Sequence, residues 1–344
     1  MPAISCIMAV HNGERFLREA VDSLLRQSFG DFELLTINDG SRDATPGLLQ
    51  QYAQRDPRLV VIENPTNLGL TPSLNRGLEQ ARGEFIARMD ADDIAEPNRF
   101  ELQAAFLRAH PEVGLLASGY HVADDEGRTL RTLHPGATDT EIRWDLLFAN
   151  TLCHSTTMFR ASLIRRYGLR YNPAKLHVED YDLWSRMLTV TRGANLFEPL
   201  VRLRQHPGSV SSVHAEAQMR AAAAIARDNM RAIDPGLDLT EEDARRLRPF
   251  RTGAPADATP ADLQLARLPL RLFRAMMAQP GIDAPVLRRV RRAWIRKTIL
   301  DRTPDQWSAL RRSGLLGGMF QADAMGVMRA ILRRACGGQM RGKV

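Results

Sequence analysis

GEFIARMDADD (residues 83–93) joins an apolar run to a group of acids. Phe85, Ile86 and Ala87 read as a short buried strand, and Asp90, Asp92 and Asp93 follow it at once. Carboxylates this close raise the cost of ionising one another. A metal, an arginine or water must offset them, and these residues alone do not say which.

Outward from this stretch, the first 125 residues alternate between two patterns. ISCIMAV (4–10), FELLTIND (32–39), LVVIEN (59–64), GEFIARMD (83–90) and VGLLASGYHVAD (113–124) are apolar runs of strand length. Between them lie segments with helical spacing, the first carrying Phe16, Leu17, Ala20, Val21, Leu24 and Leu25. Asn12 is placed to help cap that first helix, and Pro97 suits the first turn of the helix before VGLLASGYHVAD. Alternation of this kind predicts an α/β fold with a mostly parallel sheet covered by helices on both faces. In such sheets ligands bind beyond the carboxyl ends of the strands. His11 to Gly13, Asp39 and Gly40, Asn64 to Asn67, and Asp90 to Asp93 all fall at that edge.

Beyond residue 125 the pattern changes. DEGRTLRTL reads as a turn and an antiparallel return, STTMFRASL as a strand, and TEIRWDLLFA and VEDYDLWSRMLTV as helices. NLFEPLVRLRQHPGSV holds a last strand and a polar loop, and the chain from Ala215 onward reads as helical and basic. We therefore divide it into residues 1–214 and 215–344. The first part carries 23 Lys and Arg against 27 Asp and Glu, a net charge of −4, and the second 24 against 13, a net of +11. A basic second part suits a membrane surface, nucleic acid or an anionic substrate.

The whole chain of 344 residues is 44% hydrophobic and 25% charged, an ordinary globular balance that excludes a disordered or fibrous chain. No apolar run reaches the roughly 18 residues a spanning helix needs, and MPAISCIMAV lacks the features of a signal peptide. Cys6, Cys153 and Cys336 have no metal-like spacing, and their odd number points to a reducing cytoplasm.

Three groups of residues carry chemistry. The acids at the end of the 83–90 strand suit Mg²⁺ or Mn²⁺ bridging the protein to a diphosphate, or are solvated loop acids and a helix cap. Glu179 and Asp180 open a helix, where the dipole favours acids. Asp180 there is either a cap or a general base. Arg204 and His206, followed by Ser209, Ser211 and Ser212, form a polar loop that can hold phosphate or metal, or is simply exposed.

Taken in order, SCIMAVHNGERFLREAVDSLLRQSFGDFELLTINDGSRDAT, NLGLTPSLNRGLEQARGEFIARMDADD with Pro97-Asn98-Arg99-Phe100, HSTTMFR and VEDYDLWSRM resemble glycosyltransferase family 2, the inverting nucleotide-sugar transferases of GT-A fold. The resemblance runs over roughly residues 3 to 214. It implies that Ala9, Val10, His11, Asn12 and Glu14 line a nucleotide site and that Asp39 meets the base. It places Asn67, Asn75 and Arg76 near the nucleotide or its diphosphate. It assigns Asp92 and Asp93, with Asp90 nearby, to the ribose, metal and diphosphate, and Asp180 to the catalytic base with Glu179 beside it. It sets His206 in an RxH-type segment that reaches the metal or diphosphate.

The chain departs from the pattern at His11, where tyrosine is commoner, and it lacks the QxxRW motif of processive synthases. The expected activity is transfer of one sugar from a nucleotide sugar, UDP by family habit, to a saccharide or lipid-linked acceptor. The expected setting is bacterial surface polysaccharide or glycolipid assembly, at the inner face of the cell membrane. Three other readings are weaker. A nucleotidyltransferase would want a glycine-rich basic loop where HNGERF stands. A nucleic-acid binder would want more aromatic residues in the basic part, and a pseudoenzyme would not keep Asp92, Asp93 and Asp180 together.

In VLRRVRRAWIRKTIL (286–300), Leu287, Val290, Ala293 and Trp294 share one side of a helix and arginines take much of the rest. Such a helix either lies on an anionic membrane or packs its apolar side on the protein. ILRRACGGQMRGKV adds a basic tail.

Overall fold

The computed structural model describes residues 1–340 apart from 210–212, 256, 301–303 and 313. Ser211, Ser212 and the end of the basic tail therefore lie outside the described residues. The chain forms two compact units, one of residues 1–142 and 151–221, the other of residues 143–150 and 222–344.

The first unit is built on a nine-stranded sheet of β1 (Ile4–Val10), β2 (Phe32–Asn38), β3 (Leu59–Glu63), β4 (Phe85–Arg88), β5 (Ile94–Ala95), β6 (Val113–Ala123), β7 (Thr129–Leu133), β8 (Met158–Arg160) and β9 (Arg192–Arg204). Its order is β3-β2-β1-β4-β8-β6-β9-β5, with β7 on β6. β1, β2, β3 and β4 are mutually parallel, and β6 is parallel to β9. The pairs β4–β8, β6–β8, β6–β7 and β5–β9 are antiparallel. All seven residues of β1 and of β2 are buried, as a sheet covered on both faces requires.

The helices of this unit are α1 (Leu17–Leu25), α2 (Thr45–Arg55), α3 (Leu70–Gln80), α4 (Arg99–Ala109), α5 (Asp139–Asp145, which runs on into the second unit), α6 (Ala161–Tyr167) and α7 (Glu179–Met187). Leu17, Ala20, Val21 and Leu24 of α1 are fully buried, as their spacing predicts. Two local expectations fail. Asn12 does not cap α1, whose N-cap is Phe16 with no side-chain bond. Asn12 instead adopts φ +50° and accepts the Arg42 backbone N–H at 2.9 Å. Pro97 lies before the N-cap Asn98 of α4 rather than in its first turn.

Among the predicted strands, STTMFRASL shortens to the three residues of β8, because Ala161 begins α6. The brief β5 comes directly after the acids and pairs with β9, Ile94 opposite Arg202. It folds the acidic loop back towards the segment that carries Arg204 and His206.

The second unit is helical, with helices Ala215–Ile233 (its last part), Glu241–Leu247, Pro260–Leu265, Arg267–Met277, Ala284–Leu300, Pro304–Arg312 and Leu315–Met340. Its core gathers Trp144, Phe148, Phe250, Phe273 and Trp294. Trp144 stacks on Phe273 with ring centroids 3.7 Å apart, and Trp144 and Trp294 donate their indole N–H to the carbonyls of Arg251 and Phe250. The segment 143–150, read from sequence as part of the first half, thus supplies two aromatic residues to this core. Leu287, Trp294, Ile295 and Ile299 are buried in the same core, so much of the apolar side of the 286–300 stretch is turned inward, while Ala293 is exposed. Among the described residues no helix is long and apolar enough to cross a membrane.

Candidate active site

The strand order reverses between β1 and β4, and a crevice beyond the strand ends at such a point is where ligands enter sheets of this kind. The carboxyl ends of β1, β2, β3 and β4 lead here into His11, Asp39, Asn64 and Asp90.

Asp39 organises the β2 side of this edge. It is 3% exposed, and its carboxylate accepts from Asn64 Nδ2 (2.7 Å), Leu68 N (2.8 Å) and Gly69 N (2.8 Å). A carboxylate offers about four acceptor positions, so little capacity remains for a ligand. Gly40 has φ +65°, and a Cβ there would lie 2.5 Å from the backbone of Thr66 and Asn67. Only glycine fits the turn and the close approach together. Asn67 accepts the Gly69 N–H, and Arg76 donates to the Glu63 carbonyl and to Asn64 Oδ1.

Beside Asp39, His11 is exposed, its Nδ1 2.8 Å from the Asp39 carbonyl. Ala9 and Val10 are buried strand residues. Two expected ligand residues are engaged elsewhere. Glu14 accepts the Ala44 N–H at the start of α2 (2.8 Å), and Asn75 spans to the backbone of Tyr171 through both its amide N and its O.

On the β4 side the buried cation is an arginine. Arg88, the last residue of β4, is 1% exposed, and its Nη1 lies 2.5 Å from Asp90 Oδ1. None of its three side-chain nitrogens makes an aligned hydrogen bond, so the contact is an ion pair and little else. Ser155 holds Asp90 from the other side, donating to Oδ2 (2.8 Å) and accepting the Asp90 N–H (3.1 Å). Arg99 of α4, fully buried, donates to the Arg88 carbonyl at 2.8 Å and fixes the end of the strand.

Asp92 and His206 meet, with Oδ2 and Nε2 3.0 Å apart, and the imidazole packs against Phe16. Asp93 is 1% exposed; Oδ1 accepts the Arg204 N–H at 2.9 Å and Oδ2 has no partner. Burial, and after it the Asp92 and Asp90 charges, pushes Asp93 well above the usual carboxylate range.

Arg204 differs from expectation. It is 3% exposed and donates to the carbonyls of Asp92 and Asp125 and to Glu19 Oε2, stacking over Phe16. With every branch of its guanidinium engaged internally, it fastens the acidic loop and is not free to grip a phosphate.

Asp180 and Glu179 stand in the first turn of α7. Burial, then the neighbouring Glu179 charge, raises Asp180 to about 7, while the Tyr181 N–H and Arg88 work against the rise. Glu179 is 7% exposed and is also raised by burial. His154, held by the Tyr171 hydroxyl at 2.9 Å, is kept neutral by burial and then by Arg88.

The structure thus gathers Asp90, Arg88 and Ser155 in one contact group, and Asp92, Asp93, Arg204 and His206 in a second. Sequence reasoning assigned no part to Arg88, Ser155, His154 or Tyr171. The signal for Arg88 was present, since a charged residue inside an apolar strand demands a buried partner.

Residues that could hold a divalent cation are Asp92 with His206, and Asp93 through its orphan Oδ2. Among the described residues no three His, Cys, Asp or Glu side chains form a cage for a metal. The set therefore fits a cation that keeps some of its ligands from water or phosphate, the habit of Mg²⁺.

Fold and edge together define a transferase of GT-A architecture, and comparison with known proteins agrees. The family profile for "Glycosyl transferase family 2" matches residues 5–168. An uncharacterised glycosyltransferase of Haemophilus influenzae is 33% identical over 244 residues, covering 67% of this chain and 73% of the relative. The "Putative glycosyltransferase EpsE" of Bacillus subtilis is 37% identical over 207 residues, covering 59% and 73%. Among solved structures, Staphylococcus aureus TarS (residues 1–349) with UDP-GlcNAc aligns at a TM-score of 0.55 and 19% identity over 97% of this chain and 92% of that one. The chain belongs to glycosyltransferase family 2 and is a glycosyltransferase.

Proposed function

We propose that the protein is an inverting enzyme that moves one sugar from a nucleoside-diphosphate sugar, UDP-linked, to a hydroxyl of a saccharide or lipid-linked acceptor in surface polysaccharide or glycolipid assembly. The observation that carries this reading is the buried carboxylate Asp180, raised to about 7 and standing in the same unit as the acidic loop Asp90–Asp93. A base with a pKa near the working pH accepts a proton most effectively.

In this reading Asp180 takes the proton of the acceptor hydroxyl, and Glu179 beside it raises its basicity. The hydroxyl attacks the anomeric carbon opposite the leaving diphosphate through an oxocarbenium-like transition state. Asp39 holds the loop after β3 in place for the nucleotide base, and His11 and Asn12 flank it. Asp90 orients the acidic loop from its Ser155 and Arg88 contacts. Asp92, Asp93 and His206 would hold Mg²⁺ or Mn²⁺, which when bound neutralises the charge growing on the diphosphate. Asp93 fits this part because its buried Oδ2 has no protein partner and its ionisation is disfavoured until a cation is near.

The basic face of the 286–300 helix is the side left for any contact with an anionic membrane, since its apolar residues largely fill the core. The experiment is to incubate the protein and Mn²⁺ with UDP-, GDP- and dTDP-sugars and lipid-linked acceptors, and to read the anomeric signal of the product by NMR. A product of configuration opposite to the donor is expected, and retention would overturn the mechanism.

A further inference from the structure

We propose that the helical second unit carries a separate anion site that takes a phosphate ester. It lies in a cavity of about 390 Å³ between the helices Arg267–Met277 and Leu315–Met340. Three arginines, Arg267, Arg271 and Arg274, line one side. They sit at i, i+4 and i+7, so one helix face presents them all. Leu272, Phe273 and Met276 of the same helix are buried in the core, which fixes the direction of the basic face. Gly314, Gly317 and Gly318 line the other side, and no carboxylate does.

The charges are not balanced locally. Asp234 holds Arg271 through Nε (2.5 Å) and Nη2 (2.9 Å). Among the described residues Arg267 and Arg274 have no carboxylate partner. Near them the Nε of Arg291 is buried without a hydrogen-bond partner, and its guanidinium is attracted first by Asp323 and repelled by Arg292, Arg288 and Arg274. All three lining arginines are exposed, and like charges gathered on one helix face favour an anion between them. The planar donor fork of arginine matches phosphate oxygens in pairs.

The glycines agree with this. Gly314 has φ +69°, which already favours glycine, and a Cβ there would also come within 2.6 Å of Arg267 Nη2. A Cβ on Gly317 would meet nothing within 4 Å, so packing gives no reason for glycine at a helical position, which glycine disfavours. Glycine there leaves the floor of the cavity open.

A lipid headgroup and a phosphorylated saccharide offer the same phosphate chemistry, and the test separates them. The chain of 344 residues is titrated calorimetrically with inorganic phosphate in EDTA, which silences any metal-dependent site in the other unit. It is also sedimented with phosphatidylcholine vesicles with and without phosphatidylglycerol. The variants are the double substitution Arg267→Gln with Arg274→Gln and, separately, Gly317→Glu, with thermal unfolding as the check of fold. Saturable phosphate binding is expected, weakened about tenfold for each arginine lost and lost in Gly317→Glu. Vesicle binding that needs phosphatidylglycerol and falls in the same variants assigns the site to a headgroup. Phosphate binding without vesicle binding assigns it to a soluble phosphate ester. No saturable phosphate binding by the native chain, or unchanged binding in folded variants, overturns the site.

Discussion

At the scale of single residues, Arg88 and Asp180 carry the strongest consequences. Arg88 faces the acid group from inside the sheet, so truncating it leaves Asp90 without its cation. Because the Asp90 side chain is 33% exposed and keeps its Ser155 bonds, Arg88→Met should lower unfolding stability by about 1–3 kcal/mol, and an unchanged or higher stability in denaturant titration would contradict the ion-pair account. Asp180 behaves in the opposite sense. Its folded-state pKa of about 7 lies above the ordinary 3.8, so the folded protein holds the extra proton between roughly pH 4 and 7. Stability therefore falls as pH rises through that window, and above it the ionised carboxylate costs energy. Asp180→Asn should be more stable than the native protein at pH 8, by about 2–4 kcal/mol at about 1.36 kcal/mol per pKa unit, with the difference vanishing near pH 4. Thermal unfolding at the two pH values checks this, and a less stable variant at pH 8 would refute it. Of these two residues, only Asp180 was singled out from sequence, as a cap or a general base, with the base role implied by the family resemblance. Sequence reading passed over Arg88 within the very stretch that posed the question, although a charge next to the apolar run of Phe85, Ile86 and Ala87 was a signal for a buried partner.

At the scale of elements, the strand-to-loop junctions position the site. The Asp39-Gly40 turn matters most, because Asp39 gathers three donors from the loop that Gly40 allows to approach. Gly40→Ala should cost about 1–3 kcal/mol through the positive φ alone, and more through the clash with Thr66 and Asn67. Chemical denaturation should record the loss, and a variant of native stability would show that the turn tolerates a side chain. The main strands were legible because both sides of the sheet are covered, so they read as continuous apolar runs. β5 was not, since two residues offer no periodicity and its pairing with β9 is a contact more than 100 positions distant in sequence. Contacts remote in sequence also hid how Arg204 and Glu14 are engaged. Their residue types suit phosphate and nucleotide sites, and only the fold shows that Glu19, Asp92 and Ala44 already occupy them.

At the scale of the molecule, an acidic sheet edge and a basic helical unit divide the charge that the sequence displays. The change in charge sign marked two parts, but the sequence could not show that residues 143–150 contribute to the second core, since Trp144 and Phe148 read equally well as one side of a local helix. Nor could it choose between membrane and core for the apolar side of 286–300. Periodicity reports that a face is apolar, not what covers it. The central claim is that the acidic edge of the first unit binds a nucleoside diphosphate with a divalent cation. Calorimetric titration of UDP in the presence and absence of Mn²⁺, on the native chain and on Asp92→Ala with Asp93→Ala, tests it most directly. Saturable binding that needs Mn²⁺ and disappears in a variant that remains folded is expected. Binding of equal strength in the variant, or no binding of UDP, GDP or dTDP by the native chain, would contradict it.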